Sequence, residues 1–324
     1  MLKSTKIGVV CILSHNSHIQ AKFYDSIVDI IKNGKSSSLN NHTVPVYVTF
    51  SSNTLYIGSN KQNVSNFING PSFKVLLKRP PLCPFLAMKT ASFLPNDIPG
   101  KTMPIQVASV VLLESSDSMV LLTKRPTSMR TFPNVWVPPG GQVEDEESLF
   151  DAALRELKEE TNLDYEGIDV GQPNLLGLWE SGFPLQFTPQ CPPKRHHVVS
   201  YVHFKAPFTA AQLNTKLKLQ PSEVDKATWV CPCVAQKIVS TDDNLECDNC
   251  SFIEEKCFSN NCPVSLNNAK LFGAETNDNH TTCPTNNILI EPLLNRYSEN
   301  DTRNERVSTG TKFALFLWLK KFDE

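Results

Sequence analysis

Three carboxylates fall within five residues of the stretch ALRELKEETNL, residues 153–163, at Glu156, Glu159 and Glu160. On a helix these side chains share an arc of about 100°, beside an apolar stripe. Like charges at positions i and i+4 destabilise a helix unless something positive lies between them. A hard divalent cation such as Mg²⁺ favours carboxylate oxygens and keeps waters for phosphate substrates. The alternative interpretation is a solvated acidic face on a surface helix.

The residues upstream favour the metal site. The segment PPGGQVEDEESLFDAALRELKEETNL resembles the box of the Nudix hydrolases, G-x5-E-x7-R-E-U-x-E-E-x-G-U, with U an aliphatic residue. Only the second glycine differs, replaced by Asn162. Because Asn tolerates a left-handed backbone, we expect the turn after the helix to be retained. The eight matching positions are Gly141, Glu147, Arg155, Glu156, Leu157, Glu159, Glu160 and Leu163.

The resemblance implies a fold, an activity and a set of site residues. The expected fold class is α/β, a Nudix-type α/β/α sandwich in which the box forms a loop–helix–loop, with an N-terminal α+β extension. The expected activity is hydrolysis of a nucleoside diphosphate linked to another group, using Mg²⁺ or Mn²⁺. By analogy with the same box positions, Glu156, Glu159 and Glu160 are expected to hold the metal. The predicted catalytic residues are Glu147, Glu159 and Glu223. Glu147 could bind metal through water or assist as a base, and for Glu223 a solvated loop acid is an alternative of at least equal weight.

Five further residues are candidates for contact with phosphate or substrate. Gly140 and Gly141 allow a sharp turn that brings the helix N-terminus towards a phosphate. Arg155, one turn before Glu159, is better placed to orient a carboxylate than to touch substrate. Lys194 and Arg195 precede a predicted strand and could meet phosphates, or could be incidental charge at an exposed strand entry.

The substrate is less sharply indicated than the reaction. The stretches PNVWVPPGG, LWESGFP, KRHHVVSYV and STGTKFALFLWL resemble members of the family that hydrolyse 5′-capped RNA and release 7-methylguanosine diphosphate. The expected partner is therefore capped RNA or another nucleotide. Two alternatives stay open: a small-molecule pyrophosphatase acting on NADH, coenzyme A or a nucleotide sugar, and a nucleotide-binding protein without turnover.

Composition sets broader limits on compartment and partners. The formal net charge of the 324 residues is −2, so any nucleic-acid binding must come from local patches. No apolar run approaches about 18 residues, so we expect no membrane partner. Seven of the ten cysteines cluster between Cys231 and Cys283, a spread that favours a reducing compartment. We expect a cytoplasmic protein, with the nucleus as a second possibility. The oligomeric state is left open.

The chain is expected to contain two regions. Residues 1–100 predict a small α+β region with one amphipathic helix in FYDSIVDIIKNG, ending at Gly34. Prolines from residue 80 to 104 suggest a linker or an extended crossing. Residues 101–324 form the predicted Nudix domain, with a Cys/Asn-rich insertion at about 238–287. Cys247 and Cys250 have the spacing of a zinc knuckle, so a structural zinc is possible there, with free thiols as the alternative.

Several elements of the second region are predicted from local pattern. Apolar runs predict strands near residues 105–114, 119–126, 174–183, 196–206 and 227–232. The box helix is expected from about residue 148 to 161. A C-terminal helix is expected after residue 308, capped by Ser308 or Thr309.

Overall fold

The computed structural model describes residues 8–14, 17–32, 42–70, 72–91, 104–165, 173–188, 190–241, 270–277, 279–298 and 303–322. The strands are β1 (Gly8–Ser14), β2 (Ser17–Gln20), β3 (Thr43–Ser51), β4 (Thr54–Gly58), β5 (Phe73–Lys78), β6 (Gln106–Glu114), β7 (Val120–Lys124), β8 (Val135–Val137), β9 (Gly140–Gln142), β10 (Asn174–Phe183), β11 (Arg195–Lys205), β12 (Lys226–Val230), β13 (Lys270–Thr276), β14 (Thr282–Leu289) and β15 (Arg306–Val307). The helices are α1 (Ile27–Ile31), α2 (Lys61–Ile68), α3 (Pro84–Thr90), α4 (Leu149–Thr161), α5 (Ala210–Asn214), α6 (Pro232–Ser240) and α7 (Thr309–Leu319), with 3-10 turns at Glu291–Leu294 and Lys320–Phe322. None of these helices is long and apolar enough to cross a membrane.

The chain folds as two compact units that are each discontinuous in sequence. The first unit comprises Met1–Ser109, Gly141–Ala152 and Leu175–Tyr201. The second comprises Val110–Gly140, Ala153–Asn174 and Val202–Glu324. The predicted box helix, now α4, therefore contributes residues to both.

The first unit is built on strands in the order β11-β10-β5-β3-β4-β1-β2. Strand β3 shows why the sheet forms, since Val44, Val46 and Val48 alternate with more exposed residues and put one apolar face into the core. β3 is antiparallel to β4 and β5, whereas β1 and β4 are parallel and so are β5 and β10. The sheet is thus mixed, with N-terminal strands extending to β10.

A buried polar network ties the start of α1 to this sheet. The carboxylate of Glu180, on β10, accepts the backbone N–H groups of Ile27 (2.7 Å) and Val28 (3.3 Å) and the hydroxyl of Ser26 (3.0 Å). His196, on β11, donates from Nδ1 to the carbonyl of Phe23 (2.7 Å), and its Nε2 lies 3.1 Å from Glu180. Both Glu180 and His196 are fully buried. Their partners therefore satisfy groups that water cannot reach.

The second unit has the strand order β14-β13-β12-β7-β6, and β8 pairs with both β7 and β15. Strand β7 is buried at all five residues, as expected for a strand in the middle of a sheet. The C-terminal helix α7 packs against α6 and buries Phe313, Leu315 and Trp318. This unit carries most of the box helix.

Buried Glu114, on β6, anchors the C-terminal helix of the second unit. Its carboxylate accepts hydrogen bonds from Trp318 Nε1 (2.9 Å) and His203 Nε2 (2.7 Å) and pairs with Lys205 (3.0 Å). Burial alone would raise the pKa of Glu114, but these three partners outweigh it and lower the pKa to about 2. Glu114 is therefore ionised at neutral pH.

The local predictions were largely confirmed. The strands predicted near residues 105–114, 174–183 and 196–206 are β6, β10 and β11, and the box helix is α4. Helix α7 begins after Ser308, whose side chain accepts the N–H of Thr311. The mixed α/β class is also as predicted.

Two predictions in the N-terminal hundred residues were wrong in extent. The helix predicted in residues 23–34 is formed only at Ile27–Ile31, because Glu180 caps it at Ile27; its predicted stop, Gly34, lies outside the described residues. The proline-rich stretch is not extended throughout, because Pro84 starts helix α3. Proline suits the first turn of a helix, where its missing N–H is not needed.

The predicted insertion at about 238–287 begins inside α6 and ends inside the β13–β14 hairpin. Residues 242–269 lie outside the described part of the chain, and so do Cys247 and Cys250, the predicted zinc ligands. The predicted boundary between the two regions, near residue 100, is also outside the described residues.

Replacing Glu180 with alanine tests the buried network. Glu180→Ala leaves His196 and two helix N–H groups buried without their partner, so we expect about 3 kcal/mol less stability. Urea unfolding followed by circular dichroism measures the change. Glu291→Ala, at an exposed position, is the control. Equal midpoints for the two variants would contradict the role given to Glu180.

Candidate active site

Helix α4 is fixed at its start by a side-chain cap and along its length by an apolar face. The hydroxyl of Ser148 accepts the N–H of Asp151 (3.1 Å) and donates to its carboxylate (2.7 Å). Ala153 and Leu157 are fully buried. With that face held in the core, the acidic positions of the helix have a defined direction.

The end of α4 is where a distant loop joins the site. Asn162 has a left-handed backbone (φ 61°), which confirms the turn expected at this position. The last carbonyls of a helix lack partners within it. Here Lys218 donates its N–H to Thr161 O and Gln220 donates to Glu160 O, both at 2.9 Å. Gln220 O in turn accepts the N–H of Glu223 (3.0 Å). The loop of residues 218–223 therefore places Glu223 next to the end of the box helix.

Three carboxylates converge as a result. One oxygen each from Glu156, Glu160 and Glu223 lies within 4.8 Å of the other two. Glu160 is buried, and within the described residues it accepts two long hydrogen bonds, from Gly140 N–H (3.4 Å) and the hydroxyl of Thr123 (3.5 Å). Burial, and next the charge of Glu156, raise the pKa of Glu160 to about 8. Burial also raises the pKa of Glu156, against the opposing effect of Arg155.

This donor set fits a hard divalent cation. All three groups are carboxylates, the ligands that Mg²⁺ and Mn²⁺ accept in proteins. The raised pKa of Glu160 means that the buried site retains a proton near neutral pH when nothing else neutralises it. A cation at this place would take over that neutralising role.

The structure brings together two of the three predicted metal ligands. Glu156 and Glu160 belong to the three-carboxylate cluster, whereas Glu159 does not. The side chain of Glu159 is 55% exposed and pairs with Arg155 at 3.1 Å. Arg155 Nη1 also lies 2.8 Å from Glu156, so this arginine bridges the two carboxylates. The third member of the cluster is Glu223, which sequence reasoning had placed only among the candidate bases.

Arg125 is a site residue that sequence reasoning missed. Burial lowers its pKa, while the charges of Glu160 and Glu223 raise it, so the guanidinium lies within electrostatic reach of both. Its Nη2 donates to Thr131 O (3.3 Å), and its buried Nε has no hydrogen-bond partner within the described residues. The only sequence signal was its place directly after the buried strand β7.

The loop that leads into α4 is held by its own contacts and by one from the β3–β4 turn. Glu147 is half-buried, and its carboxylate accepts the N–H of Glu144 (3.0 Å). The side-chain oxygen of Asn53 accepts the N–H of Glu146 (2.8 Å), and its amide lies 3.5 Å from Asp145. Glu146 itself has a left-handed backbone (φ 66°), which these contacts hold in place.

The remaining predicted residues lie in different settings. Gly140 and Gly141 form the short strand β9, where the N–H of Gly140 points at Glu160. Lys194 and Arg195 are exposed at the start of β11. The N–H of Lys194 donates to Phe183 O (2.7 Å), and Arg195 donates to Gln106 (3.3 Å).

Comparison with known proteins identifies the family. A family model described as the NUDIX domain matches residues 103–245. The protein "m7GpppN-mRNA hydrolase NUDT17" of Danio rerio is 39% identical over 251 residues, which are 77% of this chain and 78% of that protein. The chain belongs to the Nudix hydrolase family.

Other matches to this Nudix hydrolase extend the comparison. The protein of the same name from Xenopus laevis is 33% identical over 321 residues, 98% of this chain and 96% of that one. The human protein of that name is 35% identical over 257 residues, 78% of this chain and 72% of that one. Among solved structures, the MutT protein from Methanosarcina mazei Go1 matches with a TM-score of 0.30 and 23% identity, over 44% of this chain and 86% of that one.

The buried carboxylate predicts how the stability of the metal-free Nudix hydrolase depends on pH. The pKa of Glu160 is about 8 in the folded protein against a usual value of 4.5, so between these values the folded state binds more protons than the unfolded state. Stability must therefore fall as pH rises through this range. Glu160→Gln, which cannot ionise, should reduce that fall. Melting temperatures in chelator at several pH values measure this fall. Parallel curves for the wild type and the variant would contradict the raised pKa of Glu160.

Proposed function

We propose that this Nudix hydrolase cleaves the cap of 7-methylguanosine-capped mRNA in the cytoplasm and releases 7-methylguanosine diphosphate, with Mg²⁺ or Mn²⁺. The observation that supports the substrate is the match to proteins named m7GpppN-mRNA hydrolase, which in one case extends over 98% of this chain. The cluster of Glu156, Glu160 and Glu223 supports the reaction, because it supplies carboxylates where a diphosphate needs neutralising cations.

Each residue of the site has a defined task in this proposal. Glu156, Glu160 and Glu223 hold the metal, and the N–H of Gly140 keeps Glu160 oriented. A bound divalent cation lowers the pKa of water and neutralises phosphate oxygens. Arg155 orients Glu156 and Glu159 through its two ion pairs.

Other residues are proposed to transfer protons and to contact the charged phosphates of the substrate. Glu147 and Glu159 are the carboxylates outside the cluster that we assign to proton transfer from the attacking water. Arg125 offers an unused N–H beside the carboxylates, which suits a phosphate oxygen.

A decapping assay tests the proposed function. Purified protein is incubated with cap-labelled RNA and Mg²⁺ or Mn²⁺, and the products are resolved. We expect release of 7-methylguanosine diphosphate. Glu160→Gln should slow it at least about a hundredfold, because metal-ion catalysis contributes several kcal/mol.

Two variants serve as comparisons for that assay. Glu159→Gln keeps the three-carboxylate cluster, so it should lower kcat without raising the Mg²⁺ concentration needed for half-maximal activity, while the exposed Glu291→Gln should lose no activity. Cleavage of NADH, coenzyme A or nucleotide sugars with no decapping would overturn the substrate. No turnover of any of these compounds would favour a nucleotide-binding protein.

The role of Glu223 can be separated from that of a general base. As a holder of metal, Glu223→Gln should raise the Mg²⁺ concentration needed for half-maximal activity by about tenfold, with most of kcat restored at saturating Mg²⁺. A lost base would instead remove the acidic limb of the pH–rate profile, and Mg²⁺ would not restore kcat. The second pattern would return Glu223 to the candidate bases.

A further inference from the structure

The formal charge of the chain is divided very unevenly along the sequence. Residues 1–96 contain ten lysines and arginines but only two acidic residues, a net charge of +8. Residues 97–324 contain 21 basic and 31 acidic residues, a net charge of −10. The overall charge of −2 therefore hides a basic N-terminal region beside an acidic remainder. Such asymmetry is typical of a region that binds a polyanion.

The two acidic residues of this basic region are already used locally. Asp29 pairs with Arg79 (2.7 Å) and Lys89 (3.2 Å), and Asp25 accepts the N–H of Lys22 (3.0 Å). From residue 30 to residue 96 there is no Asp or Glu at all. Lys61 and Lys74 therefore have no acidic residue near them in sequence.

Strand register places aromatic and basic side chains on one face of the N-terminal sheet. Residues directly opposite each other on neighbouring strands point to the same face. Ile12 is opposite His18, Val10 is opposite Tyr56, and Tyr47 is opposite Lys74. Tyr56 and Tyr47 pack around the small core of Val10, Ile12 and Val64 on this face. His18, Tyr56, Tyr47 and Lys74 therefore belong to a single surface.

Helix α2 completes that surface with a further ring and a further charge. The ring of Phe67 lies 5.0 Å from that of His18 and 5.9 Å from that of Tyr56. Phe67 is 37% exposed, and His18 is exposed as well. Lys61, the first residue of α2, is also exposed, as is Lys74. Partly exposed rings next to lysines are what single-stranded nucleic acid requires, because bases stack on rings while lysines meet phosphates.

We propose that this surface, formed by His18, Tyr47, Tyr56, Lys61, Phe67 and Lys74, binds the single-stranded RNA chain of the substrate. The identity of the ligand as RNA rests on the proposed function. The charge of +8 on residues 1–96 attracts a polyanion to this region, whereas the remaining residues carry a net charge of −10. Binding through stacking and phosphates is independent of base sequence.

The test uses the full chain and a short, fluorescein-labelled, uncapped single-stranded RNA, followed by fluorescence anisotropy. We expect binding that weakens as salt rises, because phosphate contacts release counterions. The single variants Lys61→Glu, Lys74→Glu and Phe67→Ala should each bind about tenfold more weakly. Hydrolysis of a free cap dinucleotide by the same variants should be unchanged. The matched control is Lys270→Glu, a charge reversal of an exposed strand lysine on β13.

Uncapped RNA separates this inference from the proposed function. RNA binding without decapping would support the RNA surface and overturn cap hydrolysis. Decapping, together with variants that bind RNA as tightly as the wild type, would support cap hydrolysis and overturn the RNA surface. Equal weakening by Lys270→Glu would reduce the effect to overall charge and overturn the proposal. So would binding to phosphatidylserine vesicles but not to RNA, which would point to a membrane surface instead.

Discussion

Everything at the candidate site depends on two carboxylates held one helical turn apart in a poorly hydrated place. Glu156 and Glu160 repel each other along α4, and burial strengthens that repulsion by excluding water. Such an arrangement is tolerated only when a proton or a cation neutralises it. The protein therefore spends folding free energy on creating an affinity for positive charge, which is what a metal-dependent hydrolase of diphosphates needs.

The surrounding residues keep this arrangement from relaxing. Arg155 forms an ion pair with Glu156, while Gly140 N–H and the hydroxyl of Thr123 donate to Glu160. The loop carrying Glu223 is tied to the carbonyls at the end of α4, so the third carboxylate is placed by the backbone and not by a flexible side chain alone. A helix end that lacks internal partners thus becomes the attachment point for a distant part of the chain.

The sequence predicted features that are determined by residues close together in the chain, and it did not predict contacts between residues far apart. Helix α4, its left-handed end at Asn162 and strands β6, β10 and β11 depend on neighbours a few residues apart, and local pattern was enough to predict them. The joining of Glu223 to Glu160 depends on hydrogen bonds across about 60 residues, and no periodicity encodes it. The approach of Arg125 to Glu160 and Glu223 and the pairing of Glu180 with His196 likewise join residues that local pattern does not connect.

Composition averaged over a whole chain can also mislead. A net charge of −2 suggested no field for a polyanion, yet it is the sum of +8 on residues 1–96 and −10 on residues 97–324. The helix α3 was missed for a similar reason: prolines taken together indicate an extended segment, while Pro84 in its own position starts a helix. In both cases the positions of the charged residues or prolines were informative, whereas their total number was not.

The contact of Asn53 with the loop before α4 has a consequence for where this protein can be cut. The family model matches from residue 103, so a fragment beginning there would contain every residue that the model matches. It would lose the side chain that holds Glu146 and, with β5, the strand that pairs with Gly177, Leu178 and Trp179 of β10. The unpaired edge would then be open to other chains. For this enzyme the limits of the family model are therefore not the limits of an independently folding piece.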